Sequence, residues 1–157
     1  MKDLHFDIIK EQYSEELNRE SMLGQKAQVY LSILTVFLSA IIFKIKDLKQ
    51  VTASLHECEM ITLYISFICI LISAVTIIKS LGIYEYRKSI SLDRLIERID
   101  SEVDDIEFNN RSAGDYIAAI KHNVKINNKR ANLLSIALYS IIASFLTILI
   151  FILIIIR

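Results

Sequence analysis

One stretch decides what this chain can fold into. Leu133 to Ile156 reads LLSIALYSIIASFLTILIFILIII, 24 residues without a charge, a proline or a glycine. At about 1.5 Å rise per residue it makes a helix of roughly 36 Å, enough to cross a hydrocarbon core of about 30 Å with some tilt. A water-soluble fold would have to bury that helix on every side, which a chain of 157 residues with two further apolar runs cannot do. The expected fold class is therefore an all-α integral membrane protein.

The two further runs are Ala27–Phe43, 17 residues, and Met60–Ile78, 19 residues. Both fall within or at the short limit of a membrane-spanning helix. The chain is 54% hydrophobic yet 23% charged, which fits apolar blocks alternating with strongly polar ones. The formal net charge is zero, so only local charge placement can point to a charged partner. No proline is present to force a kink or a broken helix. The first residues, MKDLHFDIIKEQYSEEL, lack the apolar core of a signal peptide, so cleavage and secretion are not expected.

Residues 3–23 place Phe6, Ile9, Tyr13 and Leu17 at helical spacing among charged neighbours, an amphipathic helix with net acidic character. Gly24 is expected to break or bend the chain before the first span. Between spans two and three, Leu92, Leu95, Ile96, Ile99, Val103 and Ile106 mark one helical face. Tyr116, Ile117, Ile120, Val124 and Ala131 mark another, and Glu107 to Gly114 (EFNNRSAG) reads as the turn between them, with Ser112 or Asp115 as N-cap. The expected organisation is a cytoplasmic N-terminal helix (1–26), a first span (27–43), an outside loop (44–59), a second span (60–78), a cytoplasmic helical hairpin (79–132) and a third span (133–156). The hairpin would be formed by continuous extensions of spans two and three. Lys79, Arg87, Lys88, Lys121, Lys125, Lys129 and Arg130 flank the hairpin, against Lys44, Lys46 and Lys49 in the other loop. That bias puts the hairpin and the N-terminus in the cytoplasm and Arg157 outside.

Catalytic motifs are missing from the sequence: there is no glycine-rich phosphate loop, HExxH, zinc-spaced cysteine pair or G-x-S-x-G. No enzyme, metal site or cofactor is expected. Cys58 and Cys69, the only cysteines, are too far apart along one helix to pair.

Two other patterns carry more. Each span has a stripe of small or hydroxylated residues at heptad-like spacing: Ser32, Thr35 and Ser39; Thr62, Ser66, Ser73 and Thr76; Ser140, Ser144 and Thr147. Such stripes pack helices together in lipid, or line a weakly polar pore in an oligomer. The hairpin stems interleave aromatic, basic and amide groups that suit base stacking and phosphate contact: Tyr84, Tyr86, Arg87 and Lys88 on one side, and Lys121, Asn123, Lys125, Asn127, Lys129 and Arg130 on the other.

The stretch Tyr116-Ile117-Ala118-Ala119-Ile120-Lys121-His122-Asn123 through Asn127-Asn128-Lys129-Arg130, leading into the last span behind an amphipathic N-terminal helix, resembles small bacterial membrane effectors of nucleotide-signalling anti-phage systems. These are the SLATT-type and Pycsar transmembrane effectors and the Hailong-type channel. Three spans depart from the two-span members. The resemblance implies a homo-oligomeric, ligand-controlled channel that depolarises the cell, controlled by a nucleotide or oligonucleotide made by a partner nucleotidyltransferase. Rival readings are a non-conducting membrane adaptor and a holin-like pore former, although the long charged insert does not suit a holin.

Overall fold

The computed structural model describes residues 2–43, 57–82, 84–88 and 105–156. Within them the protein is all-helical: α1 spans Lys2–Phe43, α2 Glu57–Leu81 and α3 Asp105–Ile156. Each helix is long and apolar enough to cross a membrane. The outside loop and the first arm of the expected hairpin (Leu92 to Ile106) lie outside the described residues or at their edge.

Three expectations about local structure need correction. α1 continues through Gly24 without a positive-φ residue. A single helical glycine costs about 1 kcal/mol relative to alanine, and here Leu23 and Ala27, one turn apart on the same face, are both buried on either side of it. α3 likewise runs unbroken through residues 107–114, in place of the expected turn. Ser112 is not a cap; it is buried, one turn before buried Tyr116. Conversely, span two runs only three residues past its expected end at Ile78 and does not continue as helix into residues 84–88. α2 stops at Leu81, the Gly82 N–H closes a short turn onto the Lys79 carbonyl at 3.4 Å, and residues 84–88 have no regular structure. The terminal turn leaves carbonyls without helical donors. One of them, that of Ser80, accepts a hydrogen bond from the Arg130 Nε at 2.9 Å.

The chain divides into two compact units. One comprises residues 24–82 and 130–157. Its core contains Leu34, Ile70, Ile77 and Ala137, with Tyr30, Phe37, Leu38, Ile41, Ala74 and Ile141 packed against it. Its surface is unlike that of a water-soluble protein: Ile68, Leu71, Val75, Ile142, Leu146 and Leu153 are exposed, while Ser66, Ser73, Ser80 and Ser144 are buried among the apolar core residues.

The other unit comprises residues 1–23 and 83–129. In it α1 and α3 run parallel. Phe6 and Tyr13 both pack edge-on against Tyr116, with ring centroids 5.8 and 5.3 Å apart, and Glu16 meets Asn127 further along. The inward row of α3 is Ser112, Tyr116, Ala119, Asn123 and Asn127, all buried. Of the five residues expected on this face only Tyr116 is buried; Ile120, Val124 and Ala131 are half-buried and Ile117 is exposed.

Candidate functional site

Residues 84–88 belong to neither helix nor strand, so their peptide groups need other partners. α3 supplies them. Asn123, fully buried, pairs with both backbone groups of one residue: the Arg87 N–H donates to Asn123 Oδ1 at 3.0 Å, and Asn123 Nδ2 donates to the Arg87 carbonyl at 3.2 Å. One residue earlier on α3, His122 Nε2 lies 2.9 Å from the Glu85 carbonyl. A carbonyl can only accept, so this nitrogen carries the hydrogen. The segment is thus a strap clamped across α3 by its main chain.

Asn127, also fully buried, ties the strap to both helices. Its Oδ1 accepts from the Tyr86 hydroxyl at 2.8 Å, and its Nδ2 donates to the Glu16 carbonyl at 3.0 Å and to Glu16 Oε2 at 2.8 Å. Arg19 closes the network, reaching Asn128 Oδ1 at 2.7 Å and Glu16 Oε1 at 3.5 Å. The Tyr13 hydroxyl lies 3.5 Å from the Arg87 carbonyl, a long contact.

This geometry divides the expected ligand-binding residues. Asn123, Asn127 and the Tyr86 hydroxyl hold the strap. Arg130 is only 7% exposed, contributes to the other unit and caps α2 through Ser80. Tyr84 is half-buried. Arg87, Lys88, Lys121, Lys125 and Lys129 remain exposed. For Arg87 the combination is specific: its backbone is fixed by Asn123 while its side chain stays in solvent.

No family model, curated protein or solved structure matches this chain.

The three polar stripes also separate. In α2 and α3, Ser66, Ser73 and Ser144 are buried, and Thr62, Thr76, Ser140 and Thr147 are half-buried. These residues face the packing of their own unit. In α1, Ser32, Thr35 and Ser39 are exposed. Their hydroxyls donate back to the carbonyls of Gln28, Leu31 and Thr35 at 3.0, 2.8 and 2.8 Å.

Glu16 was not singled out in the sequence, and Tyr13 and His122 were named there without a binding role; all three join the network through groups whose partners lie far along the chain. The available signal was spacing: Tyr116, Ala119, Asn123 and Asn127 follow the three- and four-residue steps of an inward face regardless of polarity.

Proposed function

We propose that this protein is a multi-pass membrane protein that assembles into a homo-oligomeric, ligand-controlled pore. The observation that carries the membrane reading is the apolar surface of the unit formed by residues 24–82 and 130–157, where many Ile, Leu and Val side chains are exposed while four serines are buried. In water that surface would be strongly disfavoured, at about 25 cal/mol per Å² of exposed apolar area. In lipid it is the ordinary arrangement, since small polar residues pack helices and aliphatic ones face the acyl chains.

The control ligand in this reading is a nucleotide-type anion bound in the cytoplasm by Lys121, Lys125 and Lys129, with Arg87 and Lys88. Support comes from their exposure, from the four-residue repeat of the lysines and from the rigid strap that presents Arg87. The conducting surface assigned here is the α1 stripe, because those of α2 and α3 are used within their own unit. Resemblance to bacterial anti-phage effectors supplies the biological class: a nucleotide made by a partner nucleotidyltransferase opens the channel or holds it shut, and opening depolarises the inner membrane.

The test is flux. Purified protein reconstituted in liposomes should release a trapped monovalent ion, and ATP or a cyclic dinucleotide on the cytoplasmic face should change the rate. Liposomes that stay tight under every condition would favour the non-conducting adaptor. That alternative has its own support in the internal use of two of the three stripes.

A further inference from the structure

Two rows of unsatisfied charge stand on the surface of the unit formed by residues 1–23 and 83–129. On α1, Asp7, Glu11 and Glu15 repeat every four residues and are all exposed. On α3, Lys121, Lys125 and Lys129 repeat at the same interval and are also exposed. Each row lies on the side of its helix away from the shared core, since Phe6, Ile9, Tyr13 and Glu16 turn inward on α1 and Ala119, Asn123 and Asn127 on α3. Among the described residues none of the six makes an ion pair or a hydrogen bond. Ion pairing in this unit goes elsewhere, to Arg19–Glu16 and Arg111–Glu107.

The rows match in level as well as in sign. α1 and α3 run parallel with Phe6 beside Tyr116 and Glu16 beside Asn127. Interpolated between those contacts, Glu11 stands level with Lys121 and Glu15 with Lys125. Rotating a copy of the chain about an axis parallel to these helices changes neither level nor direction. Such a rotation therefore brings Glu11 and Glu15 of one copy level with Lys121 and Lys125 of the next, two pairs in register over about 6 Å at 1.5 Å rise per residue, while Asp7 falls level with Ile117 and Lys129 with Arg19. A mirrored or antiparallel pairing would lose that register.

We infer that the occupant of the lysine row, in the absence of other anions, is the Asp7–Glu11–Glu15 row of a second copy of this chain. The contact is heterologous, one face against a different face, and repeated around an axis it closes into a ring. Apolar side chains left exposed nearby, Ile8 and Met22 on α1 and Ile117 on α3, add contact beside the charges. The inference rests on the oligomer reading above and deepens it. It gives the anion a physical means of control, because a polyanion on the lysines competes with the neighbour's carboxylates and has different affinity for joined and parted subunits.

Cysteine cross-linking tests it in the full chain, in lipid nanodiscs, on a Cys58→Ser, Cys69→Ser background. A chain carrying both Glu15→Cys and Lys125→Cys should give an oxidative ladder of covalent oligomers that ends at the ring size. Either cysteine alone should give none, and a mixture of the two single variants should give dimers only. Raising NaCl from about 0.05 to about 0.5 M shortens the screening length severalfold and should cut the ladder by about tenfold. Glu11→Lys with Glu15→Lys should abolish assembly, and adding Lys121→Glu with Lys125→Glu should restore it. Light scattering separates the failures. An oligomer that gives no ladder, or that cross-links through a single cysteine, overturns this face and leaves the oligomer reading standing. A monomer overturns both.

Discussion

The carboxamide of Asn123 is a peptide group borrowed from a side chain, and it is used as one. It offers an acceptor and a donor to Arg87 as a neighbouring strand would, so an irregular segment is fixed on a helix without forming a sheet. Asn123→Ala leaves a peptide N–H and a carbonyl without their partner, which should cost about 1–3 kcal/mol. Thermal melts followed by circular dichroism in detergent should fall accordingly, and hydrogen exchange at the Arg87 amide should quicken. Asn127→Asp should be worse than Asn127→Ala. The new carboxylate would replace the Nδ2 that donates to Glu16 Oε2 at 2.8 Å, setting two like charges in hydrogen-bond range. The sequence named Asn123 and Asn127 but could not assign their work. An asparagine spends most of its occurrences in solvent, and nothing local reveals that its partner lies 36 or 111 residues away.

At the level of elements, the three apolar runs were readable because a long uncharged stretch has few physical outcomes, and each does lie in a helix. What joins and ends the helices was less readable. Gly24 and Gly114 looked like punctuation, yet each lies inside a helix whose continued inward face outweighs the cost of one glycine. A Cβ placed on Gly114 would meet nothing within 4 Å, so Gly114→Ala should stabilise α3 by about 0.5–1 kcal/mol. Gly82→Ala should bring no such gain, because its Cβ would meet the Lys79 carbonyl at 3.2 Å. Comparing the two melting temperatures checks both statements. The end of α2 escaped the sequence reading for a related reason: the group that caps it, Arg130, comes from another helix 50 residues away.

Across the whole molecule, the proposed membrane topology sets one crossing between the strap and Arg157, which puts them on opposite sides of the bilayer. On the Cys58→Ser, Cys69→Ser background, Lys88→Cys should be shielded from an impermeant maleimide in intact cells, and Arg157→Cys should react. Labelling of Lys88→Cys alone would reverse the charge-based orientation, and labelling of both would overturn the single crossing between them. The hydroxyls of α1 carry a further consequence. Ser32, Thr35 and Ser39 have each turned their proton inward to their own helix, so the outer surface there offers only oxygen lone pairs. If this stripe lines the proposed pore, a passing cation would find there a substitute for the oxygens of its water shell and an anion little to hold it, so the pore should lean toward cations without a single acidic side chain.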